Sequence, residues 1–135
     1  MPLFTKDLLF SAFKQLNIPP EKAVVAVLGL AYKGNSDDTR NSPAIAFIDA
    51  IKDDVGGEVR SYDPFVGGSA ESLEEALSGA DAAVIATDHT AFKNLDWEEL
   101  GKLMRTKILI DGRHVVDRPP PRGFLFKGIG RGGEY

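Results

Sequence analysis

Lys33 and Arg40 stand close together in the stretch Gly29–Ala44 (GLAYKGNSDDTRNSPA), which also holds Asp37, Asp38 and two glycines. Lysine meets a phosphate as a point charge, whereas arginine grips it with two parallel hydrogen bonds. The pair therefore suits a phosphate, at roughly 1.5–3 kcal/mol for each charge-assisted hydrogen bond. Other readings of the same residues stay open. Lys33 can be a solvated loop lysine, and Arg40 can brace the loop by pairing with Asp37 and Asp38. The two aspartates read as loop organisers rather than metal ligands, since no further acidic partner is evident, and no metal site is expected.

The surrounding elements explain why this stretch is placed to bind. Ala23–Leu28 is a short apolar run that reads as a buried strand, and Asn41–Ser42–Pro43 announces a helix by a capping side chain and a proline at the first helical position. A loop at the carboxyl end of a first strand is where open α/β sheets hold their ligands.

Upstream, Leu8, Leu9, Ala12, Phe13 and Leu16 fall on one helical face between Thr5 and Leu16, with Thr5 as N-cap and Pro19–Pro20 as terminator. This helix either covers the sheet of its own domain or is the tail of a longer helix. Downstream, Ala44, Phe47, Ile48 and Ile51 repeat at helical spacing until Gly56–Gly57. Glu58–Asp63 is a second strand closed by Pro64. Ser72 and Glu75 form a capping box, and Gly79 ends the helix that follows. Ala82–Ala86 is apolar without alternation, as in a parallel strand buried on both faces. Asp96 and Glu99 open a further helix with Trp97, Leu100, Leu103 and Met104 as its inward stripe, and Lys107–Ile110 is a fourth strand. Phe124–Phe126 reads as an edge strand and Gly128–Tyr135 as a loose tail. Strands alternating with helices need crossover connections, so the expectation is a parallel sheet with helices on both faces.

Parallel strands bring the residues after each strand to one rim. These are the Lys33 loop, Asp63–Pro64, Thr87–Asp88–His89 and Asp111–Gly112–Arg113. Lys33, Arg40 and Arg113 thus converge on a chain whose net charge is −4, and such local concentration favours an anion. His89 is either a general base or a hydrogen-bonded loop residue. Gly29 and Gly34 do not make the G-x-G-x-x-G fingerprint, so NAD binding in the usual dinucleotide manner is not expected here.

The 135 residues suffice for one core. Their acidic balance argues against nucleic acid as a partner. The chain contains no cysteine, which removes disulfides, zinc–thiolate sites and thiol nucleophiles. No apolar run reaches a membrane-spanning length and no signal pattern opens the chain, so a soluble, cytoplasmic protein is expected.

The loop GLAYKGNSDDTRNSPA is similar to the G-x-A-[FY]-K…D-x-R-x-S-P signature of the UDP-glucose/GDP-mannose dehydrogenase family, in its C-terminal domain. ADAAVIATDHTAF, the DGR at Asp111–Arg113 and GFLFKGIGR resemble later segments of that domain, in order, over about Lys22 to Arg131. The SDDTRNSPA variant is most similar to enzymes acting on UDP-N-acetylmannosamine or UDP-N-acetylglucosamine. The resemblance implies a three-layer Rossmann-like domain over residues 21–135, preceded by a helix and linker over 1–20. It also implies the UDP-sugar-binding part of an enzyme that oxidises a sugar 6-hydroxyl to a carboxylate in two NAD-dependent steps. Tyr32 and Lys33 would contact the nucleotide sugar with Arg113 assisting, and Arg40 would face the cofactor. NAD and the catalytic cysteine would be supplied outside this chain, in an enzyme that is a homo-dimer, so this chain alone carries no catalytic residue and should be inactive. His114, where asparagine is frequent, and Pro119–Pro121 depart from the pattern. Two other readings remain: a free-standing nucleotide-binding or receiver-like regulatory domain using Asp37, Asp38 and Asp88, and an assembly module using the apolar face of Thr5–Leu16.

Overall fold

A computed structural model describes residues 2–31, 38–39, 42–93, 95–113, 115–116, 123–128 and 133–134. Helix α1 (Pro2–Gln15) is followed by β1 (Val24–Leu28), α2 (Pro43–Ile51), β2 (Glu58–Tyr62), α3 (Leu73–Leu77), β3 (Ala82–Ile85), α4 (Trp97–Leu100), β4 (Ile108–Asp111), β5 (Leu125–Gly128) and β6 (Gly133–Glu134). The sheet order is β2-β1-β3-β4-β5-β6. The first five strands pair in parallel, and β6 returns antiparallel to β5.

Strands β1 to β5 feed both sides of the sheet. On one side Val25, Val27, Ala82, Val84, Ile108 and Ile110 meet α1 and α2 through Leu9, Phe13, Phe47 and Ile51. On the other, Ala26, Leu28, Ala83, Ile85, Leu109 and Phe126 meet α3 and α4 through Ala76, Leu77 and Trp97. The result is a three-layer α/β domain with one apolar layer on each face of the sheet, as the strand–helix alternation predicts.

The helix starts follow their caps. The Ser42 hydroxyl accepts from the Ala44 amide with Pro43 in the first turn. Ser72 Oγ accepts from Glu75 N at 3.0 Å, and Asp96 Oδ1 accepts from Glu99 N at 3.2 Å. Edge strand β2 is shielded by its own chain: Ser61 N donates to Ser69 Oγ, and Ala70 N donates to Ser61 O. Such covering blunts an edge against pairing with other chains.

Several local expectations are corrected: Leu103, expected on the inward stripe that begins at Trp97, is 39% exposed. Thr5 lies inside α1 and is buried, so it does not cap the helix. Leu16 falls beyond the helix end and is 42% exposed, while Leu8, Leu9, Ala12 and Phe13 pack into the core. The apolar face of α1 is thus consumed by its own sheet, which removes the basis for reading it as an assembly surface. Strand β5 is not an edge, because Gly133–Glu134 pairs beyond it within the segment expected to be loose. No helix among the described residues is long and apolar enough to cross a membrane.

At the amino edge of the sheet, Asp81 ties β1 to the segment before β4. Its carboxylate accepts from Val24 N, Thr106 Oγ1 and the Arg105 guanidinium. Burial pushes this carboxyl up, but Arg105, Thr106 and the Val24 amide outweigh it and hold it below its ordinary value.

Candidate functional site at the carboxyl rim

With β1 flanked by β2 and β3, the strand order winds outward in opposite directions from the gap between β1 and β3. In doubly wound sheets the crevice at that point receives the ligand. The turn leaving β1 is shaped by its neighbours. Gly29 sits at φ +103°, and a Cβ there would lie 2.4 Å from Thr87 Cβ, so only glycine fits against the end of β3. Thr87 Oγ1 then donates to Ala31 O at 3.0 Å.

Asp63, just past β2, organises the rim. Its Oδ2 accepts from Leu30 N at 2.7 Å, from Ala31 N at 3.1 Å and from His89 Nε2 at 2.8 Å. Its Oδ1 accepts from Phe65 N at 2.7 Å and Val66 N at 3.0 Å. One carboxylate therefore fixes the loops after β1, β2 and β3. Desolvation pushes its pKa up, yet the bonds from Leu30, His89, Phe65 and Val66 prevail and the group lies below the ordinary carboxylate value. An ionised carboxylate only accepts, so the His89 nitrogen facing it carries the proton. His89 is fully buried between Phe65, at 4.9 Å between ring centroids, and Phe92, at 5.5 Å. Of its two readings, the hydrogen-bonded loop residue is the one that fits, because no ligand reaches a ring without exposed surface.

Arg113 follows β4 on the same rim. Asp111 sets the turn: Oδ1 accepts from the amides of Arg113 and Val115, and Oδ2 from Val116. Gly112 packs so tightly that a Cβ would meet Ile85 O at 2.9 Å. The Arg113 side chain is 30% exposed; its Nη1 approaches Ala86 O at 3.5 Å and its Nη2 approaches Asp88 Oδ1 at 3.8 Å. Beside it lies a small open cleft between Thr5, the first turn of α2 at Pro43–Ala44, Phe47 and Gly112. A cation with few close partners among the described residues, next to a helix start, is suited to an anion.

The sequence profile described as "UDP-glucose/GDP-mannose dehydrogenase family, UDP binding domain" matches residues 26–118, from β1 through the turn after β4. The chain belongs to the UDP-glucose/GDP-mannose dehydrogenase family. It is 58% identical over 132 residues to a UDP-N-acetyl-D-mannosamine dehydrogenase of Pyrococcus horikoshii, covering 98% of this chain and 31% of that protein. A UDP-glucose 6-dehydrogenase of Rhizobium meliloti is 40% identical over 119 residues, covering 79% of this chain and 27% of the relative. The solved UDP-D-ManNAc dehydrogenase from Pyrococcus horikoshii superposes with a TM-score of 0.94 at 57% identity, over 97% of this chain and 31% of that one. The chain thus spans about a third of the length of these relatives.

Of the residues that the family resemblance assigns to ligands, Arg113 stands on the rim next to the crevice. Tyr32, Lys33 and Arg40 lie outside the described residues, as do Asp37 and His114. The described backbone reaches Ala31, the neighbour of Tyr32, which is strapped to Thr87 and Asp63. The described residues do not fit NAD. A dinucleotide cradle turns the amides after the first strand towards a pyrophosphate. Here the Leu30 and Ala31 amides are donated to Asp63, and the open side of Gly29 is filled by Thr87. The receiver-like reading needs Asp37, which lies outside the described residues; among the described residues no group of three His, Asp or Glu side chains is placed to hold a metal ion, and Asp88 stands 3.8 Å from Arg113. Sequence reasoning placed Asp63 on the rim but missed its role; the Asp-Pro that closes β2 was the available signal.

Proposed function

We infer that this chain is the domain that grips the diphosphate of a UDP-sugar in an NAD-dependent nucleotide-sugar 6-dehydrogenase. The observation that carries the reading is Arg113, a partly exposed guanidinium beside the crevice at the carboxyl rim, in a chain that belongs to this family. Arg113 acts on the diphosphate, and Tyr32 and Lys33 contact the nucleotide sugar from the loop that leaves Ala31. Arg40 is assigned to the cofactor side of the cleft.

The reaction proposed for the whole enzyme is the two-step oxidation of the sugar 6-hydroxyl to a carboxylate, with NAD as oxidant. UDP-N-acetylmannosamine or a related UDP-hexose is the substrate; the name of the Pyrococcus horikoshii relative supports the N-acetylated sugar. NAD is held by a part of the enzyme beyond the third that this chain spans. With no cysteine, this chain supplies no thiol nucleophile, and its own share of the work is to bind and orient the nucleotide. A cytoplasmic homo-dimer, binding neither nucleic acid nor membrane, completes the proposal.

The experiment is a UDP titration of the 15N-labelled chain. Amide resonances of Ala31, Gly112 and Arg113 are expected to move in a saturable, weak response, while those of the β6 edge stay still. Unmoved rim resonances at saturating UDP would refute the assignment for this chain.

A further inference from the structure

Three loops of the rim meet at a pair of side chains that no ligand can touch. His89 Nε2 donates to Asp63 Oδ2 at 2.8 Å, and both side chains are fully buried. The same oxygen also receives the Leu30 and Ala31 amides, the last described backbone donors before Tyr32 and Lys33. The other oxygen receives Phe65 and Val66. His89 is itself clamped by Phe65 above and Phe92 at its edge. A carboxylate that accepts so many bonds has its orientation set by all of them, and removing one donor frees it to rotate towards the rest.

We propose that His89 is a positioning residue for nucleotide binding: by fixing the Asp63 carboxylate it holds the Leu30–Ala31 backbone from which the Tyr32–Lys33 segment departs, without itself contacting the ligand. The inference rests on the UDP-sugar reading of the rim. The geometry favours this over a purely packing role, since a ring held only for its volume would not need its donor aimed at the one oxygen shared with the β1 turn. Residues that position a binding group act through distances of tenths of an ångström, so a loosened anchor is expected to cost affinity even where the fold survives.

The test uses the full 135-residue chain with H89L, which keeps bulk and removes the donor, and H89Q, whose amide NH2 lies near the lost Nε2. Hydrogen exchange is read at Leu30 and Ala31 against core amides of Val27 and Val84. In H89L, exchange at Leu30 and Ala31 should rise about tenfold more than at the core amides, because the opening is local rather than global. The UDP dissociation constant should rise about fivefold, and H89Q should bring both within about twofold of the parent. A uniform rise at all four amides, or unchanged UDP affinity in H89L, would overturn the proposal.

Should H89L fail to fold, the parent chain decides: its imidazole 15N spectrum must show a protonated Nε2 in slow exchange, and an unprotonated Nε2 would overturn the proposal. Should the parent itself bind no UDP, the UDP-sugar reading falls. His89 is then judged on exchange alone, where selective loss at Leu30 and Ala31 sustains its anchoring role and equal protection removes it.

Discussion

The guanidinium of Arg113 lies 3.8 Å from the carboxylate of Asp88, across the ends of neighbouring strands β4 and β3. The pair is only partly buried, so it holds Arg113 near the crevice without consuming it. An incoming diphosphate competes with Asp88 for the same cation. Replacing the carboxylate, Asp88→Asn, should therefore tighten UDP binding by about 0.2–1 kcal/mol, the range of a solvent-accessible ion pair. Isothermal titration at low salt reads this directly, and weaker binding by the variant would make Asp88 a ligand contact instead of a competitor.

The two organising carboxylates make the fold sensitive to acid. Asp63 and Asp81 both lie below their ordinary value of 3.8 in the folded chain. Groups with a depressed folded pKa stabilise fully above the unfolded pKa, and that stability disappears as the pH falls through the folded pKa. Urea midpoints should hold level from neutral pH down to about 5 and then fall progressively below about 4. Asp81→Asn should flatten that acid limb while lowering the midpoint at neutral pH. A variant as acid-sensitive as the parent would move the dependence to other carboxylates.

Helix α1 behaves as part of the domain core. Phe13 and Leu9 are fully buried against β-sheet residues and α2. Phe13→Ala should cost about 3–5 kcal/mol and Leu9→Ala about 2–5 kcal/mol, by lost transfer energy and the cavity left behind. Leu16→Ala, at the exposed turn, should change stability by under about 0.5 kcal/mol. Chemical denaturation of the three variants separates the cases. Equal, small effects would mean that the helix is peripheral.

These outcomes show what could be read from the residues alone. The alternation of strands and helices and the shared rim were legible because Ala23–Leu28 and Ala82–Ala86 are continuous apolar runs, and because the caps at Ser42, Ser72 and Asp96 announce where helices begin. Parallel strands then bring Arg113 to the edge that also carries Asp88, with no knowledge of side-chain contacts. The Asp-Pro closing β2 marked Asp63 as a rim residue but not as a hub, since its partners at Leu30, Ala31 and His89 are far away along the chain and are joined only once the strands pair. The same holds for Arg105 and Asp81, which no spacing rule connects. Strand β6 was missed because Gly133–Glu134 offers no apolar alternation; backbone pairing with Lys127 and Gly128 alone defines it. Leu16 was misplaced because helical periodicity does not say where the last turn ends.

The central claim is that the carboxyl rim clasps a diphosphate, and comparison of UDP with uridine on the parent chain, Lys33→Ala and Arg113→Ala tests it most directly. Calorimetry is expected to show UDP binding to the parent, no measurable uridine binding, and a loss of about 1.5–3 kcal/mol for UDP in each variant, as for a deleted charge-assisted hydrogen bond. Uridine binding as tightly as UDP, or parent-like UDP affinity in both variants, would contradict the account.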